Sequence, residues 1–472
     1  VIVGGGIAGL SAAWEITGAK AGPDDSTPRV EVIEAENLVG GVMRTTQFAG
    51  RTIDLGADGF LVRRPEAVEL IEELGRSDEL EAIDASGASI WLRGALDVLP
   101  TGLVLGIPTS SGQLSNVKGL SRRARLDAIR DERLPIRLHV GDDATIGDIV
   151  RTKLGRELAY QFIEPMVGGI QAGRIDQLSA KSVFPQLMSA AQRGGSLMKA
   201  LRPTTANAAE PPGPLFNSLR GGVGSLPLEL AEQLRRRGVI VRTGVAVTAL
   251  RRTPSGNYPW DVDTSATTTP ADVVVLATPA PTVARLIGAV DPALERLSTI
   301  TSAGAAIITF SVARDDVTLS EKGTGVLVPL ATPWAGDGTM MVTALTFLDR
   351  KWAHLRRSDD VLVRAHVGRI DDDRWRPMSD DELTERAARE MRVLLPRFGE
   401  RFTSVVQRWP ERLPQYYLGH DTVVKNAKSA AAAIRVALCG NAYDGVGIPA
   451  SIGSGRSAGR AALDMVREPA KG

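Results

Sequence analysis

Residues Gly4-Gly5-Gly6-Ile7-Ala8-Gly9 follow the apolar run Val1-Ile2-Val3 and lead into a helical pattern from about Ile7 to Ile16. A G-x-G-x-x-G turn between a strand and a helix severely limits the fold. Its first two glycines let backbone amides approach a diphosphate, and its third lets the helix lie close against the strand. A second apolar run, Val30 to Glu34, completes a βαβ unit and predicts a parallel sheet covered by helices. Glu34 closes that second strand, where a carboxylate can accept hydrogen bonds from the hydroxyls of an adenosine ribose; an acid there disfavours a ribose phosphate, and so disfavours NADP.

The texture then changes twice. Ala67, Leu70, Ile71 and Leu74 predict a helix over about 65–82, and a Pro/Gly-rich region follows through Gly112. From Leu120 to about Ala200 the spacing is helical, closing in a loop at Pro203 to Pro214, and a surface loop is expected at Ala19 to Arg29. Ser225 to Arg236 reads as one amphipathic helix, with strands expected at Val239–Val241, Val247–Arg251 and Val273–Ala277. Apolar β-branched runs at Ala305–Phe310, Val326–Val328 and Met341–Phe347 predict a mostly antiparallel sheet. The chain ends as it began, with a strand at Val436–Cys439, a loop to Pro449 and a helix from about Ala450 to Val466. The order predicts an α/β dinucleotide domain (α+β for the chain overall) discontinuous over 1–62, 216–287 and 404–472. A substrate domain would take 63–112 and 288–403, and an inserted helical subdomain 113–215.

The 56 basic and 55 acidic residues nearly cancel, so the chain has no global field of the kind that nucleic-acid binding exploits. A single cysteine, Cys439, forbids an intrachain disulfide, and four scattered histidines give no metal-ligand spacing. A reducing, cytoplasmic setting and no metal are the expectations. The uncharged stretches Val98–Val117 and Leu297–Ala313 do not read as membrane spans: prolines and glycines interrupt the first, and the second reads as buried strand. A peripheral membrane contact is compatible with Arg122, Arg123 and Arg125, although a solvated helix face explains them better.

Shortly after Glu34 come Gly40-Gly41-Val42-Met43-Arg44-Thr45 and Asp54-Leu55-Gly56-Ala57. In this order the motifs resemble the flavin superfamily of amine oxidases, phytoene desaturases and protoporphyrinogen oxidases, which bind FAD. The physical reading agrees: a second glycine pair admits backbone close to a diphosphate, and Arg44 offers a fixed cation. Gly440-Asn441 and Gly445-Val446-Gly447-Ile448-Pro449 suit a helix N-terminus aimed at a ligand. The resemblance assigns FAD to a Rossmann-like domain at Gly4, Gly6, Ile7, Ala8, Gly9, Glu34, Ala35, Gly40, Gly41, Arg44, Thr45, Leu55, Gly56, Ala57 and Asp58. Further on it assigns Val245, Ala277, Trp409, Gly440, Asn441, Val446, Gly447 and Ile448.

Longer strings are similar to the protoporphyrinogen and coproporphyrinogen oxidase branch, closest to its Gram-positive and actinobacterial type: Asp58 to Arg64, Ile163 to Gly173, Lys351-Trp352 and Leu413 to His420. That resemblance implies an oxidase of haem biosynthesis, which removes hydride from the meso carbons of coproporphyrinogen III in three two-electron rounds. Molecular oxygen is then reduced to hydrogen peroxide, and the porphyrin product is a candidate for hand-over to ferrochelatase. Protoporphyrinogen IX is the alternative substrate. Amine oxidation fits less well, because Val446 stands where an aromatic cage residue is usual; a desaturase or a non-catalytic FAD-holding porphyrin carrier are the remaining alternatives. No general base is demanded, since the flavin carries the chemistry and the protein positions the substrate. Arg63 and Arg64 are expected to meet propionates. Phe60, Gly169, Ile170, Val328 and Phe347 are expected to line the macrocycle, with Gly169 and Ile170 positioning it.

Overall fold

The computed structural model describes residues 1–18, 28–85, 87–202, 214–253, 258–319, 323–334 and 338–467. The expected loops at Ala19 to Arg29 and Pro203 to Pro214 fall largely outside these described residues. Five short strands form an all-parallel sheet in the order Ile240–Arg242, Glu31–Ile33, Ile2–Val3, Val274–Leu276 and Val436–Leu438. Strands from three distant parts of the chain therefore complete one sheet. Both faces are covered, as near-continuous Val/Ile/Leu runs in parallel strands require.

On one face lie the helices Ile7–Thr17, Ser225–Arg236 and Ile448–Arg467, sharing a core with Ile2, Val32, Val275 and Cys439. Two glycines allow the first and last of these helices to touch. A Cβ on Gly455 would lie 2.1 Å from the Ala8 carbonyl oxygen, and one on Gly459 would lie 2.7 Å from that of Ala12. On the other face, a three-stranded antiparallel sheet (Val247–Arg252, Trp260–Thr264, Thr268–Ala271) packs with the helices Ala280–Ile287 and His420–Ala433.

The second body is a seven-stranded sheet in the order Phe402–Pro414, Ser302–Ala313, Asp360–Val367, Val342–Phe347, Gly325–Leu327, Ser89–Leu92 and Ala95–Val98. All neighbours are antiparallel except Gly325–Leu327 against Ser89–Leu92. One face is sealed by the helix Asp380–Leu394, which starts in a reciprocal cap between Ser379 and Glu382 and buries Leu383, Ala387 and Met391. The helical insert packs Ile149, Leu154 and Phe162 around its own core, which also takes in Ile90 and Leu92 of the sheet.

Three expectations need correction. The helix expected over 65–82 spans Glu66–Glu73: Gly75, at φ +71, ends it, and Leu80–Ala82 pairs as a strand with Phe216–Leu219. The boundary expected between 403 and 404 cuts through Phe402–Pro414, which is the edge strand of the large sheet. The strand within Leu297–Ala313 begins only at Ser302, after a 3₁₀ turn at Arg296–Thr299. No helix among the described residues is long and apolar enough to cross a membrane.

Candidate active site

A cleft runs along the C-terminal edge of the parallel sheet, where ligands of open α/β sheets bind. Gly6, Ile7 and Ala8 border it from the first helix, Gly40 to Met43 from the next loop, and Gly440 to Ala442 with Ser451 from the C-terminal piece. The glycines divide into two groups. Gly4 and Gly9 serve packing: a Cβ on Gly4 would lie 2.7 Å from the Ala277 carbonyl oxygen, and one on Gly9 only 2.0 Å from that of Gly4. Gly6, Gly440 and Gly447 would meet no protein atom within 4 Å, and Gly41 only Gly6 Cα at 3.7 Å. At Gly6, where φ is −70°, neither backbone conformation nor protein packing calls for glycine. A ligand lying against the backbone does, and this fits a dinucleotide in the cleft.

The carboxylate of Glu34 is held by two backbone donors. Gly5 N–H gives to Oε2 at 2.6 Å and Glu36 N–H to Oε1 at 2.8 Å, leaving lone pairs on both oxygens for ribose hydroxyls. Ala35 beside it is exposed, and Val245 donates its N–H to the Glu34 carbonyl at 2.9 Å, so both lie beside this carboxylate. Arg44 donates through Nε to the Gly41 carbonyl at 3.0 Å, pairs with Glu36 and lies 5.8 Å from the Trp409 ring centre. Glu36 also binds Arg412, at 3.0 Å; this shared carboxylate has no counterpart among the sequence expectations. Trp409 Nε1 donates to the Leu55 carbonyl at 3.0 Å, and Leu55 N–H to that of Arg44 at 2.7 Å, so the two FAD-assigned segments are tied together. Thr45 starts the strand that returns to Asp54, and Ala277 lines the cleft.

Asp58 differs from its expected role. Its carboxylate is turned into the protein, bound to Lys351 Nζ at 2.7 Å and Trp352 Nε1 at 3.2 Å, with Arg364 4.0 Å away. Burial alone would raise its pKa, but Lys351 and Arg364 outweigh that and hold it well below the usual carboxylate range. Asp54, nearby, goes the other way. Burial lifts its pKa to about 7 despite N–H donation from Gly224 at 3.0 Å and Val223 at 3.2 Å.

Arg364 links this turn to the large sheet. It donates to the Gly56 carbonyl at 3.0 Å and to that of Asp54. The side of the strand Asp360–Val367 that carries Arg364 therefore faces the Asp54–Ala57 turn, and His366, two residues on, shares that side. Its Nε2 lies 3.1 Å from Thr346 Oγ1. Burial, with Arg364 beside it, lowers its pKa to about 3, so the ring is neutral at physiological pH. The pattern was visible in the sequence as polar residues two apart in an otherwise apolar strand.

The expected macrocycle-lining residues separate cleanly. Ile170 is 47% exposed and Gly169 opens onto free space, at the C-terminal end of the helix Glu164–Gln171. Val328 and Phe347 do not join them: both are buried on the opposite face of the sheet, in the cluster containing Val363 and Met391. Phe60 likewise belongs to the core under the parallel sheet, 3% exposed. Arg63 is exposed and has no hydrogen-bonded or ion-paired partner among the described residues, whereas Arg64 pairs with Glu66 at 2.7 Å beside Gly445. Val446 is partly exposed and Ile448 opens the last helix. Among the described residues no cluster of three or more His, Cys, Asp or Glu could hold a metal.

A model of the family described as flavin containing amine oxidoreductase matches residues 7–463. A relative from Mycobacterium tuberculosis named coproporphyrinogen III oxidase is 33% identical over 98% of this chain and 96% of its own length. One of the same name from Bacillus subtilis is 31% identical over 97% of this chain and 96% of its own. A solved structure from Exiguobacterium sp. 255-15 superposes with a TM-score of 0.84 at 29% identity, covering 99% of this chain and 98% of that one.

Proposed function

The chain belongs to the flavin containing amine oxidoreductase family, and from that premise we propose that it oxidises coproporphyrinogen III to coproporphyrin III. The observation that carries this reading is end-to-end similarity, at 31% to 33% identity, to relatives named for that reaction. FAD, when bound, supplies the acceptor for the hydride, with its electron pair, that each round removes from a meso carbon while a proton leaves a pyrrole nitrogen. The overall proposal is three such oxidations, with three molecules of oxygen consumed and three of hydrogen peroxide released.

The protein's part is placement. Gly6, Gly41 and Gly440 admit the cofactor against backbone, and Glu34 fixes its adenosine end. The substrate lies between the turn at Asp54 to Ala57, the Arg364/His366 side of the large sheet and Ile170. Ile170 and Gly169 give the macrocycle an apolar, unobstructed surface. His366, neutral and fixed through Thr346, accepts or donates a hydrogen bond at the pyrrole nitrogens without adding charge. Arg63 takes a propionate and Arg64 a second, in exchange for its contact with Glu66. The helix Arg122–Arg133 supports an added peripheral contact with anionic lipid, since it turns Leu126 outward (61% exposed) beside Arg122 and Arg123.

The test is the appearance of porphyrin fluorescence in air, with FAD-loaded protein offered coproporphyrinogen III and protoporphyrinogen IX in parallel. Faster turnover of the tetracarboxylate is the expected result. Turnover of neither, beside active controls, overturns the oxidase reading, and preference for the dicarboxylate moves the assignment to protoporphyrinogen.

A further inference from the structure

The string Leu413 to His420 takes no part in the reaction proposed above, yet it fastens three parts of the molecule. Gln415 N–H donates to the Thr301 carbonyl at 2.9 Å, beside the large sheet. Its side-chain Nε2 donates to the Gln171 carbonyl at 2.7 Å, at the end of the helix carrying Ile170. Ser179 of the helical insert donates its N–H to the Tyr416 carbonyl at 2.8 Å. The Tyr416 side chain points the other way. Its hydroxyl donates to the Asn441 carbonyl and accepts the Gly445 N–H at 3.2 Å. These two residues stand at the two ends of the turn before the helix Ile448–Arg467, and Asn441 itself and Ser451 in the first turn of that helix border the cofactor cleft. The ring is 3% exposed and is clamped by His420, stacked on it with centroids 4.1 Å apart and planes 14° from parallel. Ser454 adds a separate tie, accepting the Gly440 N–H at 3.0 Å and bonding Asp444.

We infer that Tyr416 is a positioning residue for the cofactor: its hydroxyl closes the turn 441–445 and thereby sets where the first turn of the last helix meets bound FAD. A helix N-terminus carries partial positive charge and favours an anionic ligand within its first turn. The two-electron-reduced flavin is more negative than the oxidised one, so a displaced helix start weakens binding of the reduced form more. A rigid aromatic with a two-way hydroxyl suits this task, because both of its polar roles are satisfied by the loop it holds. The inference rests on the cofactor and stands whichever porphyrinogen is oxidised.

The test compares Tyr416→Phe with the parent chain, each stripped of cofactor and titrated with FAD by fluorescence, then reduced stepwise against a reference dye. Phe keeps the ring and its stack while removing the hydroxyl. FAD affinity is expected to fall about tenfold, since the turn that meets the cofactor loses the hydroxyl that holds Asn441 and Gly445 in the bound arrangement. The reduced form is expected to lose a further tenfold, read as a midpoint potential ~30 mV more negative for a two-electron couple. The melting temperature of the cofactor-free protein should stay near the parent's. Unchanged affinity and potential overturn the inference, and so does a lowered melting temperature with both cofactor readouts unchanged. Should Tyr416→Phe fail to fold, the same readouts are taken on His420→Gln, which removes the stack but keeps the hydroxyl. Smaller changes in the same direction support the inference, and none overturns it.

Discussion

Lys351 Nζ and Asp58 Oδ1 lie 2.7 Å apart in a largely buried ion pair, although 293 positions separate them in the chain. The pair joins the turn beside the cofactor cleft to the short helix Leu348–Lys351, which follows the strand Val342–Phe347 of the large sheet. Trp352 and Arg364 attend the same carboxylate, so its charge is met from three directions. Breaking such a pair from one side is costly because the other charge stays buried and unpaired. Lys351→Met is expected to destabilise the protein by about 3 kcal/mol, and Asp58→Asn by at least as much, because it leaves Lys351 and Arg364 facing each other. The double variant Lys351→Met/Asp58→Asn should recover part of the loss. Urea unfolding of all three gives the coupling directly; additive losses would show that the pair contributes nothing as a pair.

Gly6 and Gly9, three residues apart, should fail differently. Gly9→Ala puts a methyl group 2.0 Å from the Gly4 carbonyl oxygen and must push the first helix off the sheet. Overpacking of this kind costs about 1–3 kcal/mol, so a lower melting temperature is expected even without cofactor. The N-cap position of Gly6 has a φ that alanine adopts freely, and a Cβ there meets no protein atom. Gly6→Ala should therefore melt like the parent and lose FAD affinity. Equal thermal losses in both variants would contradict this division of roles.

Asp54 gives the stability curve a slope whose sign is fixed. Burial raises its folded pKa from 3.8 to about 7, so the native state holds a proton there that the unfolded chain releases. Its contribution is fully present below pH 3.8 and is lost as pH rises towards 7, with a slope of at most ~1.4 kcal/mol per pH unit for one proton. His420 acts oppositely. Burial lowers its pKa to about 4, so as pH falls from 6.5 towards 4 the unfolded chain takes up a proton that the native state refuses, and stability falls. His366, with a pKa of about 3, adds to that loss. Asp54→Asn should remove only the first effect, steepening the loss of stability on acidification between pH 7 and pH 4. A curve unchanged in shape would show that Asp54 is ionised in the native state.

What the sequence reveals here is mostly local. Gly4 to Gly9, Glu34 and the Gly40–Gly41 pair can be read from spacing because each acts within a few residues of its own strand or turn. The separated pieces of the parallel sheet can be read from the return of α/β texture after Ser225 and again at Val436. Side-chain direction in the large sheet is a different matter. Phe347 and Thr346 are neighbours, yet one is sealed in the core that holds Met391 and the other meets His366 on the face that carries Arg364. A shift of one residue in register exchanges those faces, and the register is set by partner strands far along the chain. Phe60 illustrates the same limit, since an aromatic beside a cofactor motif suits a pocket wall and a core equally. Asp58 looks like part of the flavin motif until Lys351 arrives from the other body.

Arg63 supplies the most direct test of substrate recognition. It is exposed and unpaired among the described residues, next to Arg64, whose charge is already shared with Glu66. A carboxylate bound to Arg63 gains a charge-assisted bond without breaking an existing one, while Arg64 must give one up. Arg63→Gln should then raise KM for coproporphyrinogen III about tenfold with little change in kcat, as expected when a binding contact is removed without touching the reacting carbon. Arg64→Gln should have a smaller effect. Adding salt should raise the parent's KM and flatten the difference between parent and Arg63→Gln, because an exposed pair is screened. An Arg63→Gln enzyme with the parent's KM at low salt would return this residue to the solvated loop and leave the propionates to be held elsewhere.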